Sequence, residues 1–406
     1  MNGKPPCTPA LSTWPTRRNL VAASLAGLGL APGPADAADG LPPPLPYLTP
    51  TPVPGTVPPP IPAGPPGLGA IAAHGGRVFG AAVQSQRFAS EPGYAATTAL
   101  ECAMLMPDYE TKLGTMQPSE GKFDFAAVDR LVAWARAHRM PVRGHGLIWH
   151  QDLPAWTIRA LAQGPVRGRA LMETHIGRVL THTQGDIGEW DVVNEAVADP
   201  AGSDTAQLTP GELRDTPWLQ ALGTDYIATA LRMAKERAPA IRVVLNEYGL
   251  EEGFPHHIEK RRRFLNLVRS LRRKNVPLDA VGLQGHLQMA NPFAGPPFTA
   301  FCRLLRAEGV DLVVTEMDIR EHWRIPDGIE ARDRAVADRI HAFMDAAIDG
   351  GVKTFVTWGL SDKNSWLASE VHVKRTDGLQ HRGLPLDDDG RRKPYWLAMA
   401  DAFRRA

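Results

Sequence analysis

Along the chain, short apolar runs rich in β-branched residues alternate with longer stretches in which apolar residues recur every three to four positions. Eight runs read as strands: Val78 to Val83, Leu100 to Met106, Val142 to Ile148, Trp190 to Val193, Ile241 to Leu245, Ala280 to Leu283, Leu312 to Thr315 and Thr354 to Trp358. Between most of them the spacing predicts helices, clearest over Phe125 to His138, Arg169 to His182, Leu219 to Arg237, Ile258 to Arg273 and Ala331 to Ala347. This alternation predicts the α/β class, a parallel eight-stranded (β/α)8 TIM barrel wrapped in helices. Within Ile258 to Arg273 the apolar face is marked by Ile258, Leu265, Val268 and Leu271. The basic residues Lys260, Arg261, Arg262, Arg263, Arg272 and Arg273 read as its solvated outer face.

The first part of the chain does not share this pattern. Arg17 and Arg18 precede a short apolar run from Leu20 to Leu30, and Ala35-Asp36-Ala37 offers a small-residue cleavage signal. Residues 1–37 are therefore expected to be a secretory leader of twin-arginine character, sending the protein to the periplasm or outside the cell. Residues 38–68, with Pro42-Pro43-Pro44 and Pro58-Pro59-Pro60, read as an extended spacer, leaving 69–406 as one catalytic barrel.

With 45 Lys and Arg against 44 Asp and Glu, the chain lacks the field that would hold nucleic acid or an anionic membrane. No apolar stretch reaches the roughly 18 residues that a membrane span needs. Removal of the leader would leave Cys102 and Cys302. An export compartment permits a disulfide, although two cysteines so far apart in a large domain are more often buried and unpaired.

Polar residues punctuate the C-terminal ends of the strands, where barrel enzymes carry their chemistry. The third run ends in His145-Gly146-Leu147-Ile148-Trp149-His150, the fourth in Asn194-Glu195 and the fifth in Asn246-Glu247-Tyr248. The sixth ends in Gln284-Gly285-His286 and the seventh in Glu316-Met317-Asp318, and Trp358-Gly359 leads on to Asp362 and Trp366. Glu195 and Glu316 each close an apolar run, where a carboxylate is costly to desolvate, and two such groups in one cleft are the minimum for hydrolysing a glycosidic bond. Residues two apart on a strand share a face, so Glu316 and Asp318 should both point into the cleft. Asp387-Asp388-Asp389 before Gly390 reads as a polar turn, and without His-rich ligand spacing no metal or other cofactor is expected.

Three segments are the most specific: Trp190-Asp191-Val192-Val193-Asn194-Glu195, Gly282-Leu283-Gln284-Gly285-His286 and Thr315-Glu316-Met317-Asp318. Gly121-Lys122-Phe123-Asp124-Phe125, the run from Trp358 to Trp366 and Lys393-Pro394-Tyr395 support them in order. On these segments the chain, from about Phe79 to Phe403, resembles the endo-1,4-β-xylanases of glycoside hydrolase family 10. The resemblance implies a retaining enzyme with Glu195 as acid/base and Glu316 as nucleophile. It also implies His286 as hydrogen-bond partner of Glu316, oriented by Asp318. Asn194 would bond the sugar 2-hydroxyl, and Lys112, His145 and Gln284 would bind substrate. Trp149, Trp358 and Trp366 would offer ring faces to xylan or a xylo-oligosaccharide, bound by a monomer. Burial and the charge of Glu316 should raise the pKa of Glu195.

Three departures from the family pattern fall on the substrate side. Where the family reads Glu-Asn-x-Met-Lys-Trp, this chain has Asp108-Tyr109-Glu110-Thr111-Lys112-Leu113. Gln151-Asp152 replaces Ser-Gln, and Asn246-Glu247-Tyr248 replaces Asn-Asp-Tyr. A related barrel hydrolase acting on cellulose or mannan would use the same glutamate pair. A non-catalytic polysaccharide-binding barrel would tolerate loss of either glutamate, yet both are present.

Overall fold

In a computed structural model the described residues are 65–203, 212–322 and 328–405; the leader and nearly all of the spacer lie outside them. The predicted barrel is present. Its strands are β1 (Val78–Val83), β2 (Met104–Pro107), β3 (Val142–Ile148), β4 (Ile187–Asn194), β5 (Arg242–Glu247), β6 (Ala280–Leu283), β7 (His286–Gln288), β8 (Asp311–Arg320) and β9 (Thr354–Thr357). All pairings between them are parallel, and β9 returns to β1 with Val78 opposite Thr354, closing the sheet. β6 pairs directly with β8 to complete the eight-stranded ring. β7 is a three-residue extension beyond β6 that pairs only with the outer end of β8.

Strands in such a barrel are covered inside by opposing side chains and outside by helices, which is why they read as unbroken apolar runs. All seven residues of β3 are buried. Helix Ala126–Ala137 shows the complementary pattern, burying Val128, Leu131, Val132 and Ala135 at helical spacing. Phe264, Phe298, Phe343, Phe355 and Phe403 fill the layer between strands and helices, each contributing about 2–3 kcal/mol by burial.

Four expectations need correction. Leu100 and Glu101 end helix Tyr94–Glu101 rather than starting β2. The Glu101 carboxylate accepts from the Leu68 N–H at 3.0 Å, the Trp396 indole at 2.9 Å and Arg392 at 2.9 Å, so it serves as a tie at the base of the barrel. Leu68 is in consequence fully buried at the start of helix Leu68–His74, inside the fold rather than in the spacer. The helix over Leu219 to Arg237 is two helices, Pro217–Leu222 and Tyr226–Arg237, broken at Gly223, whose φ of 71° suits glycine.

The largest correction concerns helix Pro255–Arg273. Lys260 and Arg261 are buried, while Ile258 is exposed. Arg261 donates to the carbonyls of Leu250 at 2.5 Å, Glu251 at 2.8 Å and Glu252 at 2.5 Å. Lys260 reaches Asp199 at 2.6 Å and Glu247 at 3.0 Å. Arg262, Arg272 and Arg273 do face solvent. Cys102 and Cys302 are buried free thiols, and burial pushes the Cys302 thiol up to about 12, which keeps it inert. Among the described residues no helix is long and apolar enough to cross a membrane.

Candidate active site

β4 delivers Asn194 and Glu195 to the cleft. Glu195 sits just past the strand with φ 57°, and its N–H donates to the Asn246 carbonyl at 2.9 Å. Its Oε1 accepts from Gln284 Nε2 at 3.2 Å and from Asn194 Nδ2 at 3.3 Å. His150 Nδ1 lies 3.9 Å from its Oε2 and is buried without a hydrogen-bond partner, while the Trp149 side chain also acts on this carboxylate. Burial alone would raise the Glu195 pKa, but the charges of His150 and Arg214 and the bond from Gln284 outweigh it and hold the carboxyl below its usual value. The expected elevation is thus not a property of the unliganded cleft. Burial pushes His150 down to about 4, so above that pH it is neutral and the lasting cationic influence is that of Arg214.

β8 carries Glu316 and Asp318, and His286 at the start of β7 bridges them. His286 Nδ1 donates to Asp318 Oδ1 at 2.7 Å and Nε2 to Glu316 Oε2 at 3.3 Å. Both carboxylates therefore face the cleft, as the strand parity requires. Against burial, which lowers it, the Asp318 charge and the hydrogen bonds to Asp318 and Glu316 raise the His286 pKa well above its ordinary value. Burial and the Glu195 charge raise the Glu316 pKa, but the charge of His145 and then the hydrogen bond and charge of His286 outweigh them and hold Glu316 below the usual carboxylate range. Trp366 donates its indole N–H to Asp318 Oδ2 at 2.6 Å, which fixes both the ring and the carboxylate.

Asn246 at the end of β5 connects the two glutamates. Its Nδ2 donates to Glu316 Oε1 at 2.6 Å and Asn194 Oδ1 at 2.9 Å, while its Oδ1 accepts from Thr315 at 2.7 Å. Gly282, opposite Asn246 on β6, makes room for it: a Cβ there would lie 2.0 Å from Asn246 Oδ1.

The floor is built on β3. Arg143 forms a forked pair with Asp191 at 2.6 and 3.0 Å, and Asp191 accepts from His145 Nδ1 at 2.9 Å, setting the His145 tautomer. His145, Asp191 and Glu316 bring ligand-type atoms within 4.8 Å of one another, but Asp191 already uses both oxygens on Arg143 and His145. Lys112 Nζ lies 5.3 Å from the Trp149 ring and 5.4 Å from the Trp358 ring, a cation between two aromatic faces. Trp358 is nearly buried on Ala82, Met106 and Val356 and meets His145 edge-on at 5.2 Å.

A buried, hydrogen-bonded glutamate pair at the strand ends of a parallel barrel is the equipment of a glycosidase, and comparison with known proteins decides the lineage. Residues 67–402 match the profile described as glycosyl hydrolase family 10. The chain belongs to glycosyl hydrolase family 10. It is 33% identical over 315 residues to endo-1,4-beta-xylanase C of Paenibacillus barcinonensis, covering 71% of this chain and 27% of that protein. It is 30% identical to endo-1,4-beta-xylanase 5 of Pyricularia oryzae, covering 75% of this chain and 72% of that one. The structure of xylanase 10B from Thermotoga petrophila in complex with xylobiose matches 83% of this chain and 97% of that chain, with a TM-score of 0.72 and 26% identity. The chain spans about a quarter of the length of the first curated relatives it matches.

Within this family 10 barrel, Glu195, Glu316, His286, Asp318, Asn194, Lys112, His145, Trp149, Trp358 and Trp366 come together around one cleft. Gln284 joins them in a different role from the one expected. It is 1% exposed and its amide donates to Asn194 and Glu195, so it orients the Glu195 carboxylate. Glu247 is likewise not a substrate-side departure: fully buried, it accepts from the Val197 N–H at 2.9 Å and pairs with Lys260. Tyr109 is half-buried, with burial and then Glu110 raising its phenol. Asp152 is exposed at φ 54°, and its main chain and carboxylate lie against Gly114, two residues past Lys112. Asn246, Thr315, His150, Arg143 and Arg214 had no role in the sequence reading. Asn246 and His150 stood in the strand-end punctuation, whereas nothing local marks Arg214.

Proposed function

We propose that this chain is a retaining endo-1,4-β-xylanase, with Glu195 as acid/base, Glu316 as nucleophile and xylan or xylo-oligosaccharides as substrate. The observation that carries the reading is that the two buried carboxylates, both held below the usual range, meet different partners. Glu316 is held ionised by His145 and by the imidazolium of His286, which Asp318 keeps charged, as an attacking oxygen requires. Glu195 has only neutral amide donors on Oε1, and its Oε2 faces His150. Glu195 protonates the departing oxygen while Glu316 attacks the anomeric carbon, and Glu195 then takes a proton from the water that releases the sugar. Bound sugar would displace water from Glu195 and strengthen the burial that favours its protonated form. Relatives named as xylanases and a xylobiose-bound neighbour support the substrate class.

The reading is tested on purified enzyme by ¹H NMR of early hydrolysis. The β anomer should appear first and mutarotate slowly, and xylan should yield xylo-oligosaccharides while cellulose and mannan yield little. First appearance of the α anomer would mean water, not Glu316, attacks.

A pH profile tests the charge relay. Asp318→Asn removes the charge that keeps His286 protonated, so Glu316 loses the His286 contribution and its pKa rises. Catalysis needs Glu316 ionised, so the acid limb of kcat/KM should move toward neutral pH by about one unit. An acid limb that stays in place would detach Asp318 from the ionisation of the nucleophile.

A further inference from the structure

Glu195 is one of four non-glycine residues with positive φ among the described residues, the others being Arg139, Asp152 and Asn275. Left-handed backbone is unfavourable for a glutamate, so neighbouring contacts must hold it there. On the N-terminal side the Asn246 carbonyl accepts its N–H. On the C-terminal side the Glu195 carbonyl accepts from Arg214 Nε at 3.0 Å. Arg214 is 3% exposed, and its Nη2 donates to the Val197 carbonyl at 3.2 Å, Asp199 Oδ2 at 3.1 Å and the Tyr248 hydroxyl at 2.8 Å. Its own N–H donates to the Ala196 carbonyl at 2.8 Å. One guanidinium thus grips the main chain at Glu195 and Val197, and its backbone grips the residue between.

That guanidinium is locked from behind. Lys260 bonds Asp199 Oδ1 at 2.6 Å and Glu247 Oε1 at 3.0 Å, and its Nζ lies 3.4 Å from the centre of the Tyr248 ring. Glu247 returns its other oxygen to the Val197 N–H. The buried groups Arg214, Asp199, Lys260 and Glu247 therefore form one unit, and among the described residues Arg214 is its member that hydrogen-bonds the Glu195 main chain, while Glu247 and Tyr248 also act on the Glu195 charge. The other titratable groups facing Glu195 are His150 after β3 and Glu316 on β8.

We infer that Arg214 is a positioning residue for Glu195: its bond to the Glu195 carbonyl maintains the left-handed turn that aims the carboxyl. The inference rests on Glu195 being the acid/base. It does not require Arg214 to touch substrate, and it gives the burial of Lys260 and Glu247 a purpose.

Two variants separate charge from contact. Arg214→Lys keeps a cation but cannot reproduce the fork, whereas Arg214→Met removes both. The cation favours ionised Glu195, so its removal raises the Glu195 pKa, and the alkaline limb of kcat/KM, which reports loss of the acid's proton, should move to higher pH. For Arg214→Met the expected move is about half a unit to one unit. For Arg214→Lys the limb should stay near the parent's. Both variants should lose at least about tenfold in kcat on xylan and far less on an aryl xylobioside with a good phenolate leaving group, which needs little protonation. A lower unfolding temperature with equal losses on both substrates and an unmoved limb would mean a purely structural residue and would overturn the inference. If Arg214→Met does not fold, Arg214→Lys decides by its leaving-group dependence alone. Should Glu195→Ala in the parent lose both substrates equally, the acid/base reading fails rather than the role of Arg214.

Discussion

Glu316→Gln should abolish hydrolysis of xylan and of activated aryl xylosides alike, with kcat falling roughly 10⁴-fold or more, since no other group is placed to attack the sugar. The substitution preserves size, and the amide oxygen can still accept from Asn246. Its NH2 would oppose the His286 N–H, so His286 loses a partner as well as the nucleophile's charge. Circular dichroism and unfolding temperature should change little, which separates loss of chemistry from loss of fold. Substantial turnover of an aryl xyloside without added nucleophile would remove Glu316 from the nucleophile's place. In Glu316→Ala, added azide should restore product formation with inverted configuration, because the small anion occupies the face that the carboxylate leaves.

Glu195→Ala should behave differently. Loss of the proton donor should lower xylan cleavage by at least about a hundredfold, while a dinitrophenolate still departs, because it hardly needs protonation. The glycosyl-enzyme then waits for a water that no base activates. A pre-steady-state burst and a depressed KM on the activated substrate are the expected signature, and azide should speed the second step. Equal losses on both substrates would argue against an acid role.

The barrel is legible because its strands are buried on both faces, so that each of the eight runs stands out against the amphipathic helices between. The candidate pair stands out for a related reason: Glu195 and Glu316 close apolar runs that have no structural use for a carboxylate. What was hidden depends on partners remote in sequence. Lys260 and Arg261 look like surface residues until Asp199, Glu247 and the carbonyls at 250–252 are brought against them. The lowering of the Glu195 pKa draws on His150 and on an arginine nineteen residues downstream, in a loop without a recognisable pattern. Gln284 and Asn246 could be located at strand ends, but which amide hydrogen meets which oxygen follows from β5 standing between β4 and β6, a relation no single segment contains. The split at Gly223 was hidden because apolar periodicity continues on both sides of the break.

The contact between Gly282 and Asn246 also constrains how this enzyme can change over time. A side chain at position 282 is acceptable only after Asn246 has been lost, yet losing Asn246 first deprives Glu316 of its closest donor. Neither order offers a first step that leaves catalysis whole, so the two positions are epistatically locked and the floor of the cleft resists one-at-a-time variation. Innovation in substrate choice is then channelled to the rim. Half-buried Tyr109 and exposed Asp152, where this chain departs from the family pattern, are positions where single substitutions can be sampled without crossing that valley.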